Sequence, residues 1–234
     1  MVTSNMSYVI QMIAEGEHQK QDFKMRVEDA GKIARTLCAF ANTDGGRLLI
    51  GVKDNGSIAG VRADEEFHMI QAAAEMQCKP PILFDVQIWK AEMKTILEVQ
   101  IPRSASRPHF CKDEKDQLQA YLRRDDRIHR ASPVLVKVWQ YEMRLDRSEF
   151  RYDQHIGKLF SAWRSGRALS FRHVARMGRL DFDAAEDLLC LLIVWGIVGW
   201  EYGPKGWIYS LNDGDALDQL ESSGVDAFRW KDHR

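Results

Sequence analysis

Two hydrophobic periods alternate along the first 150 residues. Residues 6–14 and 27–43 carry apolar side chains at helical spacing, the second with Ile33, Leu37, Phe40 and Ala41 on one stripe, and 42–46 supplies the Asn, Asp and Gly that suit a helix end. A short strand is predicted near 22–24. Leu48, Leu49, Ile50 and Val52 form an apolar run too short for a helix, closed by the turn residues Asp54-Asn55-Gly56 before Ile58 and Val61 resume as a hairpin-like return. A helix over 64–77 follows, then a hairpin of strands at 82–89 and 95–101, where Phe84, Val86 and Ile88 alternate with Asp85 and Gln87. Strands at 109–111 and 118–123 precede a helix capped by Ser132, with Pro133 in its first turn, running to about residue 145. The pattern predicts an α+β domain with a mixed sheet.

Within it, Ala39-Phe-Ala-Asn-Thr-Asp-Gly-Gly-Arg-Leu-Leu-Ile-Gly-Val-Lys-Asp-Asn-Gly packs a helix end, a glycine turn, a strand and a second turn with almost no slack. The paired glycines do not make a phosphate loop, because no Lys-Ser or Lys-Thr follows Gly51 and no helix opens there. An ATPase is therefore disfavoured. The order Glu17, then Asp22-Phe-Lys, then Ala-Phe-Ala-Asn-Thr-x-Gly-Gly, then Gly-Val-x-Asp-x-Gly, resembles the Alba-like domain of the Schlafen family. The likeness continues through Arg107-Pro-His-Phe, Tyr121-Leu-Arg and Ala131-Ser132, covering about residues 5–145. It implies a mixed-sheet Alba-like domain over 1–148 and a nucleic-acid-related role.

After residue 150 the pattern turns to compact helices. Ile156, Leu159, Phe160 and Trp163 make one apolar stripe ending at Gly166. A second helix, 171–177, is capped by Ser170, and a third starts at Asp181 or Asp183 and runs to Trp195. Residues 200–202 and 207–211 flank a Gly-Pro-Lys-Gly turn as a hairpin. Three helices plus a β-hairpin resemble a small winged-helix domain, expected over 149–234 with a short C-terminal tail. Its third helix offers Asp183, Glu186 and Asp187, then Leu188 to Val194 apolar on nearly every side, a poor fit to the major groove. That helix reads as packing, including a contact in an expected homo-oligomer, a homodimer.

Composition, with 45% hydrophobic residues, fits two modest cores. Cys38, Cys78, Cys111 and Cys190 lie far apart without a Cys-x-x-Cys pair, arguing against zinc and a disulfide framework. No basic segment followed by an apolar core opens the chain, and its longest apolar run is short of a bilayer span, so a cytoplasmic protein without membrane contact is expected. Net charge is −1, yet residues 103–151 hold 12 basic and 8 acidic side chains.

That basic middle nominates Arg103, Arg107, Arg123, Arg124, Arg127 and Arg130 as a nucleic-acid face, DNA or RNA; the alternative is a solvated rim paired with Asp125 and Asp126. Residues 154–180 add six cations without an acid. The Schlafen resemblance also implies a second site. Glu17, Asp22 and Asp54 stand where ribonuclease-active animal Schlafens carry three carboxylates that work with Mg²⁺ or Mn²⁺ on structured RNA such as tRNA. Each acid alone reads as a loop, strand or turn residue. His109 and His129 lack a partner at a dyad's spacing, so His109 reads as a strand residue and His129 as part of the basic face. The sequence thus favours a nucleic-acid-binding transcriptional regulator, with a metal-dependent endoribonuclease as the alternative and a protein-interaction adaptor as a third class.

Overall fold

The computed structural model describes residues 3–142 and 152–223, which fall into two compact units bounded at 131/132. The first begins with helix α1 (Thr3–Glu15), strand β1 (Gln21–Lys24), helix α2 (Ala30–Asn42) and strand β2 (Gly46–Ile50). Helix α3 (Ala63–Ala72) continues into a π-helical turn, Ala73–Gln77. Then come β3 (Cys78–Lys79), β4 (Asp85–Ala91), β5 (Lys94–Ile101), β6 (Phe110–Lys112), β7 (Leu118–Arg124) and β8 (Arg127–Arg130). They form two sheets, ordered β1-β2-β5-β4 and β3-β6-β7-β8; only β1 and β2 pair in parallel.

The central strands of the first sheet, β2 and β5, are covered on both faces, which explains their apolar runs, while the edge strand β4 is largely open. Leu48 and Ile50 of β2, with Leu97 and Val99 of β5, pack on Ile33, Leu37 and Phe40 of α2. Leu49 and Ile96, each adjacent in sequence to one of these residues, point to the other face, against Val9 and Met12 of α1 and Phe23 of β1. Asp29 starts α2 by accepting hydrogen bonds from the amides of Gly31 (2.8 Å) and Lys32 (3.1 Å). The return expected at Ile58 to Val61 is only a single bridge, Val52 to Ile58, because Gly51, Gly56 and Gly60 all take positive φ and bend the chain out of a ladder. Strands β3 and β8 escaped prediction: the first is two residues long, and the second, Arg-Ile-His-Arg, is polar at an edge.

The second unit comprises α4 (Pro133–Glu142), α5 (Gln154–Arg164), β9 (Leu169–Ser170), α6 (Phe171–Gly178), α7 (Phe182–Val194), β10 (Val198–Gly203), β11 (Gly206–Leu211) and α8 (Gly214–Ser223). Its antiparallel sheet has the order β10-β11-β9. Helix α4, expected to close the first domain at 148, packs instead on α7, where Lys137 donates to Glu186 (3.1 Å) and Asp187 (2.8 Å) and Val134 enters the core. Its expected continuation to residue 145 lies outside the described residues. Helix α8 stands where a tail was expected, with Leu217 and Leu220 buried. The apolar girth of α7 is therefore used inside the unit: Leu188, Leu189, Leu191 and Leu192 are all at most 2% exposed. The surface assigned to a second subunit is interior, a correction that removes the reason given for an oligomer.

Gly45 and Gly46 fix the α2–β2 turn. Gly45 has φ +68, and a Cβ there would lie 2.7 Å from both the Arg103 amide and the Ile101 carbonyl, which are backbone atoms that cannot yield. Gly16 has a similar φ of +72 with open space around it. Both alanine variants bear the left-handed backbone cost of about 1–2 kcal/mol. Gly45→Ala is expected to lose about 1–3 kcal/mol more than Gly16→Ala in urea unfolding, the added loss being the clash.

Candidate nucleic-acid interface

The motif around Asn42 is an interior latch. The Asn42 carboxamide is fully buried; its Nδ2 donates to the carbonyls of His109 and Tyr121 (both 2.9 Å), and its Oδ1 accepts from the His109 amide (2.7 Å). Its own carbonyl accepts from Arg107 (3.3 Å). One side chain thereby ties the end of α2 to β7 and to the segment leading into β6, with no polar atom of the amide left unsatisfied. Thr43 continues the tie, its Oγ1 donating to the Ala39 carbonyl (2.7 Å) and accepting from the Arg123 amide (3.0 Å).

Arg123 was expected on a nucleic-acid face and is instead 1% exposed. Its guanidinium donates to Asp22 Oδ1 (3.1 Å), the Gln21 carbonyl (2.8 Å) and the His18 carbonyl (3.1 Å), and lies over the Phe40 ring at 4.9 Å. It links β7 of one sheet to β1 of the other. A guanidinium so enclosed meets no phosphate, because it is buried and each of its three nitrogens already donates to a protein oxygen. Arg107 corrects in the same way: it is 9% exposed and bonded to Asn42.

The acids Glu17, Asp22 and Asp54 have separate tasks. Asp22 is buried between Arg123 and Lys24, each holding one carboxylate oxygen. Glu17 Oε1 accepts from the Phe23 amide at 2.9 Å. Asp54 is exposed in the turn after Val52. Among the described residues no group of three His, Cys, Asp or Glu side chains is arranged to hold a metal. The three acids do not fit Mg²⁺ or Mn²⁺, whose oxygen ligands must share one centre.

His109 is interior as well. Its Nδ1 bonds the Pro80 carbonyl (2.8 Å), and so carries a proton, while its Nε2 lies 2.6 Å from Ser104 Oγ. Burial pushes its proton affinity below the ordinary imidazole value. Three of the cysteines that sequence spacing kept apart also meet inside this unit. Cys38 and Cys78 sulfurs are 3.7 Å apart, and Cys78 is the register partner of Cys111. Bonding to its two neighbours, together with burial, raises the Cys38 thiol far above its usual range.

Four of the nominated arginines reach the surface. Arg124 and Arg127 are direct cross-strand partners at the β7–β8 hairpin, so their side chains share one face, and Leu122 and His129 form the same-face pair beyond them. Burial first, then the charges of Arg124 and Arg127, lower the proton affinity of His129. Like charges opposite each other are unfavourable in a sheet, a repulsion that Asp125 and Asp126 of the same turn moderate. Arg127 has a loose contact to Asp126 (3.8 Å), and Arg130 donates to Asp113 (3.1 Å). Such exposed pairs hold a cation weakly. Arg103 is exposed without an ion pair among the described residues. Sequence reasoning missed the latch role of Asn42 and His109; the one available signal was a polar Asn between Ala41 and Thr43 in an otherwise apolar helix end.

Residues 17–132 match the family described as Schlafen, AlbA_2, and this part of the chain belongs to it. Membership points to a nucleic-acid-related role. Among solved structures the chain is similar to the DIP2311 protein from Corynebacterium diphtheriae, at 17% identity and a TM-score of 0.42, over 92% of this chain and 39% of that one. It is also similar to the N-terminal domain of a protein related to the ATP-dependent DNA helicase RecG from Nitrosomonas europaea, at 21% identity and a TM-score of 0.39, over 63% and 98%. The chain thus spans well under two thirds of the Corynebacterium protein.

Two outcomes follow for the interior groups. Arg123→Met leaves the buried Asp22 carboxylate with Lys24 as its remaining charge partner and the Gln21 and His18 carbonyls without this donor, and is expected to cost about 3–5 kcal/mol in urea unfolding. His109 has a lowered folded-state proton affinity, so the unfolded chain binds more protons below the ordinary value of 6.5. Stability is then full above that pH and falls as pH drops through it. Between pH 6.5 and 5.5 the urea midpoint of the parent should fall more steeply than that of His109→Asn.

Proposed function

We propose that this chain is a nucleic-acid-binding protein that meets the sugar–phosphate backbone through the β7–β8 hairpin. The observation that carries this reading is geometric: Arg124 and Arg127 are paired across the strands with their side chains on one face beside His129, whose proton affinity is lowered by burial first and by the two guanidiniums second. Membership of the AlbA_2 family supports it independently. A phosphate placed there relieves the repulsion between the two guanidiniums and restores the proton affinity of the imidazole. The helix–strand–helix–helix–hairpin order of α5 to β11 supports reading the second unit as a winged-helix module, and the pair of units as a cytoplasmic regulator. The engaged state of Asp22 and Glu17 gives the endoribonuclease reading no support.

Arg124→Ala with Arg127→Ala should reduce the slope of log affinity against log salt by about 1.4–1.8, two phosphate contacts at 0.7–0.9 each. Unchanged affinity for duplex DNA, single-stranded DNA and tRNA would show that the hairpin is not the contact. Because binding returns a proton to His129, affinity should also rise as pH is lowered from 7.5 toward 6, by at most about tenfold per pH unit. That rise should vanish in His129→Gln.

A further inference from the structure

The second unit carries its own cationic face, on residues the hairpin does not involve. Segment 154–180 contains Lys158, Arg164, Arg167, Arg172, Arg176 and Arg179 and no acidic side chain. Arg164 is neutralised by Asp218 and Glu221 of α8. The other five are exposed, and none has an ion pair among the described residues. On α6 the burial pattern is sharp: Val174, Ala175 and Gly178 face the core, while Arg172 and Arg176 stand one turn apart on the open side. Arg179, the left-handed residue that ends the helix, extends their line.

Two like charges four residues apart weaken a helix by a few tenths of a kcal/mol; the helix C-terminus favours Arg176, but no acidic side chain among the described residues pairs with either arginine. A polyanion supplies the missing charge. The stripe from Arg172 to Arg179 is about 10 Å long at about 1.5 Å per residue. A strand of duplex presents one phosphate per roughly 3.4 Å of axis, so three contacts fit this length. The neighbouring helix cannot serve instead. The acids Glu186 and Asp187 of α7 are held by Lys137 of α4, and Leu188 to Leu192 lie in the core, which leaves no side chain of that stretch able to reach a base edge.

We infer that the second unit binds the backbone of duplex nucleic acid through the α6 arginines, independently of sequence, while α7 stays within the protein. This goes beyond the proposed function and does not rest on the hairpin, since it uses a different unit and different residues.

The test uses the full chain with Arg172, Arg176 and Arg179 changed together, to Ala in one variant and to Lys in another, beside the Arg124→Ala/Arg127→Ala variant. Two short duplex DNAs of unrelated sequence are the probes, with poly-L-glutamate as competitor, each titrated over a salt series. The alanine triple should lose about 2–3 from the log–log salt slope and bind both duplexes at least about tenfold more weakly at low salt. The lysine triple should keep the slope, because phosphate contact needs the charge and not the guanidinium fork. If thermal melting shows the alanine triple to be unstable, Arg172→Gln with Arg176→Gln should lose about 1.8 from the slope instead. A parental slope in both neutralised variants overturns the inference, even where the hairpin variant loses binding. So does a strong parental preference for one duplex that the triple abolishes, which would mean base reading. Competition by polyglutamate as effective as by duplex, charge for charge, would overturn it in favour of an acidic protein partner.

Discussion

The first unit depends on one buried cation. Arg123 leaves β7, crosses to β1 and gives its guanidinium to Asp22 and to the Gln21 and His18 carbonyls, while its amide is held by Thr43. The two sheets have no ladder in common; Arg123 and the Gln19 side chain, which bonds the Arg123 carbonyl and the Asp125 amide, tie the β1 end of one to β7 of the other, and the Asn42 latch ties α2 to β7. Replacing Arg123 or Asn42 by an apolar residue leaves a carboxylate or several carbonyls short of a partner inside the core, where each lost partner costs more than the bond is worth in water. The same low-dielectric setting keeps His109 neutral and binds it to Ser104 and Pro80.

That constraint separates scaffold from surface. The most distinctive residues of the family pattern, Asp22, Asn42, Thr43, Gly45, Gly46, Arg107, His109 and Arg123, build the interior, while the charges available to a partner lie at positions with no such fixed tasks. Arg103, Arg124 and Arg127 in the first unit, and Arg172, Arg176 and Arg179 in the second, are open to solvent or nearly so. A polyanion needs local charge and a free approach, and these positions supply both. The division also accounts for the acids: Asp22 serves Arg123, and Glu17 caps the Phe23 amide.

Much of the fold was legible because hydrophobic period is a local property. The stripe Ile33, Leu37, Phe40 and the run Leu48 to Ile50 gave α2 and β2, and Ser170 and Asp181 marked the starts of α6 and α7. Family resemblance, borne out over 17–132, supplied the class. What stayed hidden was long-range. Arg123 and Arg124 are neighbours of identical chemistry; β7 is buried on both faces from Ala120 to Arg123, and only the end of that cover, set by a sheet not yet known, leaves Arg124 partly open. The convergence of Cys38, Cys78 and Cys111 and the packing of α4 on α7 likewise join residues 30 or more positions apart, beyond the reach of any local pattern.

The central claim is that exposed cations bind nucleic acid without help from a metal. Titrating the full chain with duplex DNA and with tRNA, over about 50 to 200 mM salt and with either EDTA or Mn²⁺ present, tests it directly. The account predicts binding in both media, with log affinity falling linearly against log salt along the same line and the tRNA left whole. Binding absent at the lowest salt, or binding that requires Mn²⁺ and is followed by cleavage, would contradict it.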